Sequence, residues 1–167
     1  QAVDLLATHQ AEAEALEALG KLRVEGAIEK LTAALDKESF CDVIRSGAIA
    51  GLCYLRTEAA LDVIAGWLTE DRPALCRLSA TLALGRMGRD KPELRPRVLD
   101  LLEGALHPMP GVRHQLALCS ALGTVGTEPA LPLLRELEER GVGGLVRRFS
   151  REHAQSIRRK QDRTAPF

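Results

Sequence analysis

Aromatic side chains are scarce: one tryptophan, one tyrosine and three phenylalanines in 167 residues. A core stacked from rings is therefore not expected, and alanine and leucine must carry the packing. Net charge is also missing. Lys and Arg number 23, as do Asp and Glu, so no global pull toward nucleic acid or an anionic membrane exists. Long apolar runs are absent too; none reaches the ~18 residues that span a bilayer. The start, Gln1-Ala2-Val3-Asp4, lacks the basic and apolar regions of a signal peptide. The missing initial methionine, with a helical pattern already under way at Ala2–Leu6, leads us to expect a piece of a longer chain.

Catalytic signatures are missing as well. None of His9, His107, His114 and His153 is followed by glutamate, so there is no HExxH zinc helix. His107 and His114 lie seven residues apart, which matches no common ligand spacing; the four histidines are expected to face solvent or cap helices. No serine lies in a GxSxG elbow, and no glycines form a GxGxxG or a P-loop. Gly141-Val142-Gly143-Gly144 reads as a hinge between helices rather than a phosphate cradle. Cys41, Cys53, Cys76 and Cys119 form no CxxC pair. We expect four buried free thiols in a reducing cytoplasm.

What the chain does contain is a recurring frame. It reads Ala15-x-x-Ala18-Leu19-Gly20-x-Leu22, then Ala48-x-x-Gly51-Leu52-Cys53-x-Leu55, then Ala80-x-x-Ala83-Leu84-Gly85-x-Met87, then Leu118-x-x-Ala121-Leu122-Gly123-x-Val125. Ser150-x-x-His153-Ala154-Gln155-x-Ile157 is a degenerate fifth copy. The leucine position recurs after 33, 32, 38 and 32 residues, a period typical of helical repeats. Between frames run second helices with apolar residues at i, i+3 or i+4, and i+7 or i+8, such as Ala27-Ile28-x-x-Leu31-x-x-x-Leu35. The spacing predicts nine helices, at 3–19, 25–35, 41–54, 58–69, 73–87, 94–106, 112–124, 129–140 and 144–160. Gly20, Gly85, Gly88, Gly123 and Gly126 read as left-handed caps just past the first helices. Thr57 and Thr127 read as N-caps. The segments 88–92 and 107–111, the latter broken by Pro108 and Pro110, read as loops. Trp67 is placed one turn inside a second helix, as packing. Residues 1–160 are taken as one domain and 161–167 as a frayed tail.

Two charged features stand out. Residues 1–40 hold eight acids against four bases, and residues 147–163 hold seven bases against two acids. The basic segment carries Arg147, Arg148, Arg151, Arg158, Arg159, Lys160 and Arg163; a solvated helix face explains it without nucleic acid. Arginine also recurs seven residues before the frame leucine, at Arg45, Arg77 and Arg147, with Gln115 in the fourth slot and Arg113 two residues earlier. A structural ladder, each arginine bonded to a neighbour's acid or turn carbonyl, is the expected role.

The unit Cys76-Arg77-x-x-Ala80-x-x-Ala83-Leu84-Gly85 resembles a HEAT-like repeat. This resemblance implies an all-α fold, a right-handed α-α superhelix (a HEAT-like solenoid) of about nine antiparallel helices in four pairs plus a terminal helix. A narrower stretch, Asp36-Lys37-Glu38-Ser39-Phe40-Cys41-Asp42-Val43-Ile44-Arg45-Ser46-Gly47-Ala48-Ile49-Ala50-Gly51-Leu52, resembles the C-terminal helical domain of aminopeptidase N-like zinc metallopeptidases of the tricorn-interacting-factor type. That resemblance implies a non-catalytic wall around a peptide chamber, with the parent's catalytic domain and peptide substrates as partners. Second helices would line the concave side, where Lys30, Arg97 and Arg135 could attract a peptide carboxylate. No catalytic or metal residue is implied in this chain; zinc is expected only in the parent's catalytic domain. The alternative is a stand-alone HEAT-repeat adaptor for a protein partner.

Overall fold

Apolar residues at helical spacing produce nine α-helices in the computed structural model, which describes residues 2–107 and 110–164. They are α1 (Ala2–Leu22), α2 (Ala27–Ala34), α3 (Val43–Leu55), α4 (Glu58–Ala65), α5 (Ala74–Asp90), α6 (Arg95–Leu106), α7 (Val112–Val125), α8 (Leu131–Arg140) and α9 (Gly143–Thr164). Short 3₁₀ turns over Phe40–Asp42, Pro92–Leu94 and Glu128–Ala130 lead into α3, α6 and α8. No strand occurs among the described residues. The protein is all-α and is built from HEAT-like helix pairs. Its helices cluster into two compact units, Gln1–Ala83 and Leu84–Phe167, the boundary falling inside α5.

In unit 1, Leu31, Ile49, Leu52, Leu61 and Ile64 are completely buried, each worth ~1.5–3 kcal/mol of transfer free energy. The tightest seam joins α1 to α3. A methyl group added at Gly20 would overlap the Gly51 carbonyl; one at Gly47 would lie 2.6 Å from the Ala13 Cα, and one at Gly51 2.5 Å from the Leu16 carbonyl oxygen. Real Cβ atoms do not come so close, so only glycine permits this approach. Thr57 caps α4 as expected, its hydroxyl accepting from the Ala60 amide at 3.2 Å.

Unit 2 is centred on Leu84, Met87, Leu102, Leu106, Leu118, Leu122 and Leu134, all fully or almost fully buried. A methyl group at Gly85 would meet the Ala121 Cα at 2.7 Å, and one at Gly123 would overlap the His153 ring. A rule follows within each unit. The residue after the frame leucine meets the residue before the next frame's leucine: Gly20 with Gly51, Cys53 with Ala83, Gly85 with Ala121, and Gly123 with His153. Cys53, in the glycine slot, donates its thiol to the Ala83 carbonyl at 3.4 Å.

This geometry corrects the reading of the glycines. Gly20, Gly85, Gly88 and Gly123 lie inside helices; only Gly126 is a left-handed cap (φ 68°). The left-handed positions after α1 and α3 are held by Arg23 (φ 51°) and Arg56 (φ 55°). Other boundaries shift. α5 runs through Gly88 to Asp90, so the loop expected at 88–92 shortens to the turn around Lys91. α4 ends at Ala65, placing Trp67 in the following turn rather than in a helix. α9 continues past Arg159 to Thr164. The break expected at Pro108 lies outside the described residues, as do residues 165–167 of the expected tail.

Candidate functional site

Open grooves remain among the described residues once the helices have packed. In unit 1, α3 supplies the floor of a groove of 400 Å³, with Val43, Ser46, Gly47 and Ala50. One wall is α1, presenting Gln10, Glu14 and Glu17; the other is α5, presenting Leu75, Leu78 and Leu82. Leu75 is 40% exposed. Ser46 and Ser79 satisfy each other at 3.1 Å. In unit 2, a groove of 560 Å³ runs between α6 and α8 over Pro96, Leu99, Pro129, Pro132 and Leu133, with Asp100 and Glu103 beside it. A third, of 370 Å³, shares Pro132 and includes Glu128, Arg135, Glu136, Glu139 and Arg158. Thr127, at the edge of the α6–α8 groove, does not cap its turn as expected. Its Oγ1 is buried and meets no hydrogen-bond partner among the described residues.

The cations singled out from sequence are scattered. Lys30 is exposed on α2, Arg97 on α6 and Arg135 on α8. Of the three, Arg135 lines one of these grooves, which it shares with Glu128, Glu136, Glu139 and Arg158. Glu136 also pairs with Arg140 at 2.5 Å.

The arginine slots show several local solutions. Arg45 donates through Nε to the Leu35 carbonyl and through Nη1 to Asp42, both at 2.9 Å. Arg147 donates to the Gly141 carbonyl at 3.3 Å. Each therefore ties the end of one helix to the next. Arg77 Nε is buried and meets no acceptor among the described residues, while Arg113 is exposed on α7. Gln115, fully buried in its slot, donates to the Pro110 carbonyl at 2.7 Å and accepts from the Val142 amide at 2.9 Å. Arg45 and Arg72 also flank the Trp67 ring, at 5.8 and 4.7 Å from its centroid.

The thiols are mostly inert by position. Burial pushes Cys76 up to about 11, with Asp42 adding to the shift, and burial also raises Cys119, which contacts Ser150 Oγ at 3.1 Å. Cys41 is the correction: it is exposed, at φ 53°. The histidines also depart from expectation. His114 is buried, and His153 packs on α7, where burial lowers its pKa. Among the described residues no three His, Cys, Asp or Glu side chains gather as a metal would require. None of their helices is long and apolar enough to cross a membrane.

The grooves themselves were not legible in sequence. Leu75, Leu78 and Leu82 have helical spacing, which does not separate a groove wall from core. The one available signal was that α5 is apolar on more sides than a single buried stripe requires.

Residues 12–37, the later part of α1 with α2, match the PBS lyase HEAT-like repeat. No protein of curated function matches the chain.

Proposed function

We propose that the chain is a non-catalytic HEAT-like interaction module that holds a segment of a protein partner against α6 and α8. The observation that carries this reading is the 560 Å³ groove, floored by Pro96, Leu99, Pro129, Pro132 and Leu133 and edged by the unpartnered Thr127 hydroxyl. The apolar floor supplies area, and Asp100 and Glu103 supply orientation. HEAT-like repeats often serve protein interaction, and the role needs no cofactor. Three buried thiols and one exposed free thiol suit the cytoplasm.

A photo-crosslinking residue at Leu99 tests the proposal. Under native conditions it should join the chain to a discrete protein. Pro132→Asp, which places charge in the groove at a position that tolerates an acid in the first turn of α8, should cut the yield at least ~10-fold, the equivalent of 1.4 kcal/mol. An equal yield from a crosslinker at exposed Gly104 would defeat the assignment. So would substrate turnover by the purified chain that a single substitution abolishes.

A second reading rests on the Asp36–Leu52 stretch and its likeness to aminopeptidase C-terminal domains. There the chain would wall a peptide chamber, with zinc confined to the parent's catalytic domain. Removing the charge of Arg135 in the intact enzyme should then raise KM for long peptides, less so at high salt; an unchanged KM counts against it. The three carboxylates that share a groove with Arg135 make it poorly suited to a peptide carboxylate, which ranks this reading second.

A further inference from the structure

The zero net charge conceals two opposite halves. Unit 1 carries thirteen acids against eight bases, and unit 2 ten acids against fifteen bases. The units stand at −5 and +5. Each half also has a surface on which that charge is organised.

In unit 1 it is the groove over α3. Its walls are two rows of similar pitch: Gln10, Glu14 and Glu17 on α1, and Leu75, Leu78 and Leu82 on α5. Floor and acidic wall meet closely, because Gly47 lets α3 pack directly on Ala13 of α1. Such a trough suits a helix laid across it, with cations at the end over α1 and an apolar residue at the end over α5. In unit 2 it is α9. Val146, Ser150, Ala154 and Ile157 form its buried stripe. On the opposite side of the helix lie Leu145, Arg148, Glu152, Gln155, Arg159 and Arg163, all exposed. Leu145 is 48% exposed and Phe149 lies half-buried beside it. At 22 residues α9 is about 33 Å long, so Leu145 and Arg159 are separated enough to reach opposite walls.

We propose that the groove of unit 1 receives the outward stripe of α9 from a second copy of the chain. Arg159 and Arg163 face Glu14 and Glu17, and Leu145 contributes apolar contact toward Leu75, Leu78 and Leu82. The sequence itself supplies the complementary charge, which favours a second copy over an unrelated basic helix. Groove and helix are different surfaces, so copies associate either reciprocally, each groove taking the other's α9, or head to tail into longer chains or rings.

The test uses the full chain in sedimentation velocity. At about 0.01 M salt, where charges act across ~30 Å, the weight-average mass should rise with concentration to at least twice the 18.2 kDa of one chain. At about 1 M salt, where the range is ~3 Å, it should return to that of one chain. A groove variant (Glu14→Lys with Glu17→Lys) and a helix variant (Arg159→Glu with Arg163→Glu) should each stay monomeric at low salt, with unchanged helical circular dichroism. Mixed together they should associate again, because each then offers what the other lacks. Wild type that stays monomeric at low salt overturns the proposal, as does association that ignores salt or a mixture that remains monomeric. A monomeric chain that captures a synthetic basic amphipathic peptide assigns the groove to a foreign helix and overturns it equally. Pro132→Asp should leave this association intact, which separates it from partner binding at α6 and α8.

Discussion

Between α1 and α3 in unit 1, glycine meets glycine, with Gly47, about one turn before Gly51, against Ala13; in unit 2, Gly85 meets alanine and Gly123 meets a histidine ring. The turns differ in the opposite sense. Unit 1 holds Arg23, Cys41, Asp42 and Arg56 at positive φ beside a single glycine, Gly26, whereas the positive-φ residues described in unit 2 are the glycines Gly126 and Gly143. Unit 1 thus uses glycine for close helix approach and tolerates strain in its turns. Unit 2 relaxes one seam around a titratable side chain and places glycine where left-handed backbone requires it. One repeat frame therefore leads to two different distributions of tolerance.

The largest expected effect is at Gly20. Gly20→Ala forces a methyl group into the Gly51 backbone, which cannot rotate away, and should cost about 3 kcal/mol, the upper end of ordinary overpacking. The denaturant midpoint reports it. Gly123→Ala should cost less, about 1–2 kcal/mol, because its obstacle is a side chain. In a His153→Ala background most of that penalty should vanish; if it persists, the ring is not the obstacle. A left-handed non-glycine residue costs ~1–2 kcal/mol, so Arg23→Gly, at an exposed position, should raise stability by about 1 kcal/mol. Gly104→Ala sharpens the contrast further. Nothing lies within 4 Å of a methyl group there, and removing glycine from the interior of α6 should gain ~0.5–1 kcal/mol. The same exchange thus changes sign between α1 and α6.

Acid sensitivity gives the smallest effect. Burial holds the folded His153 below its ordinary value of 6.5, against a weaker opposing pull from Glu152. The unfolded chain therefore binds the proton first. The stability due to a neutral His153 is complete above about 6.5 and is lost as the pH falls through the lower folded value. His153→Gln should flatten the stability profile between about pH 7 and pH 5; an unaltered slope would place the sensitivity elsewhere.

Much of the architecture was readable from residue spacing, because each helix buries one stripe and the stripes repeat. The purpose of the glycines was not. A left-handed cap and a close helix approach both select glycine, and the frame alone does not separate them. Part of the separating signal was in the sequence nonetheless: Gly51 and Ala121, which face Gly20 and Gly85, are small, whereas His153 opposite Gly123 carries no such hint. Trp67 was misplaced because Gly66 ends α4 within one turn of a pattern that continues to Leu68. Arg135 was chosen for its charge, although Glu139 stands four residues further along the same helix, a spacing that brings the two side chains to one face.

The position of Trp67 has an experimental consequence. It is the chain's sole indole, 7% exposed in unit 1 between two guanidinium groups, and the sole tyrosine, Tyr54, lies in the same unit. Unit 2 contains neither, so intrinsic fluorescence is a local gauge that sees only the acidic half. Circular dichroism sees both. Melting curves recorded by the two signals on one sample would show, without any label, whether the two halves lose their structure together.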